Sequence, residues 1–342
     1  MPFDAILGQT KAHDYLKKIA RTQQVPGALL FHGPDGVGKA KTALEFAKAL
    51  NCQDPRARQT GESCGVCPSC RAIAQGICPD VTFVDFLYQA RLEIKKDVSN
   101  KGYQEELEKE LAKQQHISVD TVRKVATQSL QKAVGDGWKV LIIDQAQTMQ
   151  AAAANALLKF IEEPPPKTVW ILITNKRTAM LKTILSRCQP LAFAPLQPEQ
   201  VVQILTQTGA ETEHLDLCAK YSGGSVSGAL KADHALTLLS AAEFGPNGAD
   251  AAGPSAVAAE LSRTLVTARQ EAAAVLEVLS TALHHAWKDA ATDDARAAYH
   301  TALNRFENYK RSLARNVSPA LLVETALMSL DGLNVPVFEE KL

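Results

Sequence analysis

The stretch ALLFHGPDGVGKAKT, residues 28–42, passes from a short apolar run through a glycine-rich turn into a helical pattern. This order reads as a buried strand, a phosphate loop and the start of a helix. Gly33, Gly38 and Lys39 fit the G-x-x-x-x-G-K frame, with Gly36 as a further loop glycine. In that frame glycines let backbone N–H groups close on phosphate oxygens, and the lysine ammonium reaches the outer phosphates. The frame calls for Ser or Thr next, but this chain has Ala40, which offers no hydroxyl to Mg²⁺. Thr42 is a poor substitute, because two residues along a helix rotate a side chain by about 200°.

The rest of the chain sets limits on what such a loop can serve. At 342 residues it exceeds one ordinary core, so about two or three domains are expected. With 46% hydrophobic and 22% charged residues it has the composition of a soluble globular protein. Lys+Arg and Asp+Glu both number 37, which argues against a broad basic nucleic-acid face. The opening MPFDAILGQ has neither a basic segment nor a long apolar one, and no run approaches membrane-spanning length, so a cytoplasmic protein without membrane contact is expected.

Four of the seven cysteines fall within residues 52–70. Cys64, Cys67 and Cys70 form two overlapping C-x-x-C steps, and Cys52 is placed to supply a fourth thiolate. A tetrahedral structural Zn²⁺ site, in a module of about residues 52–80, is the economical reading. A redox dithiol or unrelated buried cysteines are the alternatives, and Cys78 is a spare, packed thiol.

Strands are expected at Val81–Phe86, Lys139–Asp144, Val169–Thr174 and Leu191–Ala194, with helices at Lys11–Arg21, Ser118–Gln131, opened by Ser118 as its N-cap, and Asn155–Ile161. The charged run from Arg91 to Gln115 reads as a solvated helical insertion without chemistry. Asp144 closes the strand KVLIID where phosphate-loop proteins hold Mg²⁺. A glutamate after it would accept a proton from water; Gln145 cannot, though a glutamine can orient water. Thr174 and Asn175 end a strand where open α/β sheets face ligands. The pattern beyond Pro195–Pro198 is helical throughout: a lid domain over 196–243, a Gly/Pro/Ala-rich linker over 245–255, and a final helical domain over 256–342. His284 and His285 are read as packing residues.

With phosphate loop, four-cysteine insert, VLIID, NALLKFIEEPP (155–165), TN and SRC (186–188) in that order, the chain resembles the bacterial sliding-clamp loader subunits of the AAA+ class. The likeness runs from Phe3 to about Leu230, with fainter echoes such as ARNVSPALLVETALMSL, 314–330. It implies an α/β, RecA-like domain with a parallel five-stranded sheet and a zinc module on Cys52, Cys64, Cys67 and Cys70. A helical lid and a C-terminal all-α collar would follow. The implied partners are gamma/tau and delta subunits in a hetero-oligomeric ring, the sliding clamp, and primed DNA through the assembled complex.

Two branches of that family, gamma/tau and delta-prime, differ in nucleotide chemistry. The motor branch has Ser or Thr after the loop lysine, Glu after the strand-ending aspartate, and a lid arginine that senses nucleotide. This chain has Ala40, Gln145 and, over 224–230, GSVSGAL. Arg187 is retained between Ser186 and Cys188, and in this family that arginine reaches the neighbour's γ-phosphate. The resemblance therefore implies a delta-prime-type member of the DNA polymerase III complex: no intrinsic ATPase, weak or absent ATP/ADP binding, and an arginine finger in trans. Lys39 would then bridge loop backbone and sheet ends. A gamma/tau-type motor, or a zinc-containing DNA-binding module using Lys95, Lys96 and Lys101, are the competing readings.

Overall fold

A computed structural model describes residues 3–94, 100–134, 137–210, 212, 214–242, 244, 257–258, 260–261, 265, 268–313, 315, 317–330, 332–335 and 337. The proposed linker, 245–255, lies outside these residues. The chain divides into two compact units, Met1–Pro195 and Leu196–Leu342.

The first unit is built on five parallel strands, β1 (Ala28–His32), β2 (Val81–Val84), β3 (Lys139–Ile143), β4 (Thr168–Thr174) and β5 (Gln189–Ala192). Their order across the sheet is β2-β3-β4-β1-β5. β1, β3 and β4 are near-continuous apolar runs because both of their faces are covered. Alternate residues supply two separate cores. Leu29, Phe31, Val140, Ile142, Val169 and Ile171 face one way, and Leu30, Leu141, Ile143, Trp170 and Leu172 the other.

Helices α1 (Thr10–Thr22) and α2 (Lys39–Asn51) cover the first face through Leu16, Ile19, Phe46 and Ala47. The short α3 (Pro55–Thr60) and α4 (Pro68–Ala74) lie within the cysteine insert, and α5 (Phe86–Glu93) and α6 (Asn100–Lys113) follow β2. Helix α7 (Val119–Ser129) is capped by Ser118, whose Oγ accepts from Thr121 N at 3.2 Å, as the sequence predicts. With α8 (Ala151–Glu162) it covers the second face through Val122, Val125, Leu157 and Ile161.

Several boundaries differ from expectation. β2 ends at Val84 rather than Phe86, because Asp85 caps α5, its Oδ1 accepting from Tyr88 N at 2.6 Å. Helix α8 begins four residues before Asn155, because Ala151–Ala154 are strong helix formers that carry no apolar stripe. β5 begins at Gln189 rather than Leu191: an edge strand tolerates Pro190, whose missing N–H would break a central ladder. Among the described residues of the charged run, Arg91–Glu93 close α5 and Asn100–Lys113 form α6. Gln89 ties them down, bonding Gln114, accepting from Ser118 N at 2.8 Å and donating to the His116 carbonyl at 3.0 Å. A one-turn α9 (Lys182–Leu185) leads into β5.

The second unit is helical among the described residues. It comprises α10 (Pro198–Gln207), α11 (Leu215–Tyr221), α12 (Val226–Ala241), α13 (Arg269–Asp289), α14 (Asp293–Leu313) and α15 (Pro319–Met328). Residues read as lid and residues read as collar share one hydrophobic core: Val201, Leu205, Leu236 and Leu239 pack with Val275, Leu279, Phe306 and Val323. His284 stacks on Trp287, and His285 lies edge-on to Tyr221. No helix among the described residues is long and apolar enough to cross a membrane.

Candidate functional site

The loop between β1 and α2 is glycine-rich for steric reasons. Gly33 has φ +152°, and a Cβ there would lie 2.2 Å from the Phe193 carbonyl oxygen. Gly36 and Gly38 have φ +68° and +95°, in the left-handed region that side chains resist. Gly38 caps α2, so Lys39 is its first residue.

The lysine turns back on its own loop. Its Nζ donates to the Gly33 carbonyl at 2.8 Å and to the Pro34 carbonyl. It is only 6% exposed, and burial lowers its pKa against the opposing pull of Asp35 and Asp144. Asp35 Oδ1 stands 3.8 Å from the ammonium, while its Oδ2 accepts from Asn175 Nδ2 at 2.5 Å. The structure thus joins phosphate loop and β4 end through an acid that the sequence reading passed over. A carboxylate inside the motif was the available signal, since it opposes an anionic ligand.

Ala40 is half-buried against the β1–β4 core, and Thr42 is fully buried, with Oγ1 3.4 Å from His13 Nε2 on α1. Neither places an oxygen in the loop. Asp144 follows β3, accepts from Gln145 N at 2.9 Å, and has its pKa raised by burial despite that N–H and Lys39. Gln145 is exposed at φ +48°, the left-handed start of a tight turn whose Thr148 bonds back to the Gln145 carbonyl.

The SRC segment lies at the other end of the sheet. Gln189 pairs with Leu29, which sets Cys188 level with Ala28 and puts Ser186 and Arg187 beyond the start of β1, whereas Gly33 lies beyond its end. Leu29 to Gly33 alone spans roughly 13 Å of strand. Cys188 is 5% exposed, its thiol pushed up to about 12 by burial, and it serves as the apolar anchor of the turn. Arg187 between them is partly exposed and donates through Nε to Glu162, and through Nη1 to the Thr183 carbonyl (3.1 Å) and Ser186 Oγ (3.3 Å). A groove of about 350 Å³ runs past it, bordered by Pro26, Gly27, Glu162 and Pro164.

The cysteine insert closes on itself. The thiols of Cys52, Cys64, Cys67 and Cys70 all lie within 4.8 Å of one another. Tetrahedral Zn–S bonds of about 2.3 Å require sulfurs about 3.8 Å apart, so the cluster fits a metal, compatible with zinc. Backbone N–H groups point at the sulfurs: Cys64 N to Cys52 Sγ (3.3 Å), Cys67 N to Cys64 Sγ (3.3 Å) and Cys70 N to Cys67 Sγ (3.4 Å). Burial opposes the Cys67 thiolate, but the N–H groups of Gln53 and Cys70 outweigh it and bring that thiol down to about 7. Cys52 directly follows α2, tying the cluster to the helix that begins at Lys39. Cys78 stands outside the cluster, packed beside the first sheet core. Of the lysines considered for DNA contact, Lys95, Lys96 and the Lys101 side chain lie outside the described residues.

A parallel sheet with this order, a phosphate-loop frame after β1, an acid after β3 and helices on both faces defines an AAA+ ATPase-like domain. Residues 8–197, more than half of the chain, match the family described as DNA polymerase III, delta subunit. The chain belongs to that family of clamp-loader subunits. The chain is 35% identical over 202 residues to the DNA polymerase III subunit delta' of Pseudomonas aeruginosa, covering 58% of this chain and 53% of that one. It is 36% identical over 174 residues to subunit delta' of Bacillus subtilis (51% and 44%), and 29% over 234 residues to its subunit tau (67% and 36%). The chain thus spans about half or less of these relatives' length. Among solved structures, a DNA polymerase III gamma subunit-related protein of Thermotoga maritima shares the fold, with TM-score 0.53, 15% identity and coverage of 92% and 97%.

Proposed function

We propose that this chain is a non-motor, delta-prime-type subunit of the replicative sliding-clamp loader. It assembles in a ring with gamma/tau and delta subunits, and it contributes Arg187 to a neighbour's ATPase site while the complex places the clamp on primed DNA. The observation that carries the reading is the position of Arg187, at the opposite end of β1 from Gly33 and Lys39. An arginine side chain is too short to bridge that span, so its cationic fork cannot serve the chain's own loop and is available to another subunit. There it would neutralise charge developing on a transferring phosphoryl group, which needs no nucleotide in its own subunit.

The state of the chain's own loop supports the same reading. Lys39 is committed to loop carbonyls, Asp35 adds negative charge beside it, Ala40 supplies no Mg²⁺ ligand and exposed Gln145 is no base. Asp144 and Asn175 remain as geometry, part of a degenerate nucleotide site with Gly33, Gly36 and Gly38. The four cysteines would hold structural Zn²⁺, which fixes the insert against the end of α2 and couples metal binding to folding.

Turnover and binding of ATP by the isolated chain test the proposal: binding should be weak and hydrolysis at background. The likeness to subunit tau favours the second reading, a self-sufficient ATPase in which Gln145 orients water. Hydrolysis that disappears in Lys39→Ala would establish that reading in place of the first.

A further inference from the structure

We propose that Glu162 is a positioning residue for Arg187, holding the guanidinium by one edge so that the other is presented to an anionic group of the neighbouring subunit. The inference rests on the trans role of Arg187. Glu162 is the last residue of α8 and accepts from Arg187 Nε across twenty-five residues of sequence. Nη1 is taken by the Thr183 carbonyl and Ser186 Oγ. Among the described residues, Nη2 has no acceptor, and the neighbouring groove gives an approaching phosphate access to this fork.

The carboxylate is itself held in place. Pro164, two residues on, packs so closely on Gly27 that a Cβ there would lie 2.4 Å from the Pro164 Cγ. Gly27 in turn is fixed to the sheet, its carbonyl accepting from Trp170 N at 2.9 Å. Gln189, two residues after Arg187, pairs with Leu29 on the same strand. Both members of the pair are therefore referenced to the start of β1, which fixes their separation.

The pair adds little to folding, since both side chains are about 40% exposed, at 38% and 43%. Its value lies in fixing an arginine that would otherwise sample many rotamers before reaching a phosphate. Substituting Glu162 should leave the fold intact and change the geometry of the finger.

The experiment measures ATP hydrolysis by the complex reconstituted with gamma/tau and delta, with assembly confirmed by gel filtration. Arg187-dependent turnover is the difference from the Arg187→Ala complex. Glu162→Ala should lose about nine-tenths of it through kcat, with KM for ATP little changed. Glu162→Gln, whose amide oxygen still accepts from Nε, should keep most of it, and Glu162→Ala should cost nothing further in the Arg187→Ala background. Full turnover in Glu162→Ala beside a slow Arg187→Ala complex would overturn the positioning role and leave the finger standing. An equal loss from Glu162→Ala in the Arg187→Ala background would also overturn it, as a general structural effect. Unchanged turnover in Arg187→Ala would overturn the finger itself, and the inference with it.

Discussion

Lys39 donates to the carbonyl of Gly33 at 2.8 Å, inside the loop whose frame would have it reach for phosphate. The ammonium is buried, and the Gly33 and Pro34 carbonyls both accept from it. Lys39→Ala should therefore destabilise the first unit by about 1 kcal/mol, the net worth of hydrogen bonds to partly buried carbonyls that water can reach once the lysine is gone. ATP turnover by the reconstituted complex should change less than about twofold, since the variant removes scaffold rather than a working phosphate contact. Urea denaturation and steady-state hydrolysis on the same preparation check both halves.

Cys52, Cys64, Cys67 and Cys70 lie close enough to share one ion. Protein purified under reducing conditions should carry about one zinc per chain, and Cys67→Ser should lower that content and the unfolding midpoint together. Metal analysis returning less than about half an equivalent would count against the site. A Cys78→Ser control should retain full metal, because that thiol stands outside the cluster.

His13 is 5% exposed, with Nε2 3.4 Å from Thr42 Oγ1. Burial lowers its pKa below 6.5, Lys17 adds to the effect, and Asp14 and Asp4 oppose it. The unfolded chain therefore takes up a proton near pH 6.5 that the folded chain refuses. Stability contributed by neutral His13 is present above that pH and is lost as pH falls toward the folded value. Between about pH 7.5 and about pH 5.5 the wild type should lose more unfolding free energy than His13→Gln, measured by urea titration at each pH. Equal losses would mean that His13 titrates alike in both states.

The parts of the fold that were legible in sequence are those where burial is two-sided or chemistry is local. β1, β3 and β4 announce themselves because both faces are apolar, and the cysteine cluster because three of its ligands recur at two-residue gaps. Ser118 was readable as a cap because capping is a local bond. The opening alanines of α8 were not, since small residues leave no periodic signal, and Gln189–Pro190 looked like loop because an edge strand need not be apolar. Glu162 was visible only as a helix end. Its link to Arg187 depends on Pro164 seating against Gly27, a contact made by the folded sheet. Asp35 was overlooked for the same reason: its tie to Asn175 spans 140 residues.

The register that pairs Gln189 with Leu29 puts Arg187 and the phosphate loop at opposite ends of one strand, and the proposed division of labour rests on it. The most direct test is ATP hydrolysis by the clamp-loader complex reconstituted with Arg187→Ala in this chain and wild-type gamma/tau and delta. Turnover at the one site that Arg187 serves should fall by roughly 10³-fold or more, the usual scale for an arginine finger, while assembly is unaffected. A complex that assembles normally and hydrolyses ATP at the wild-type rate would contradict the account.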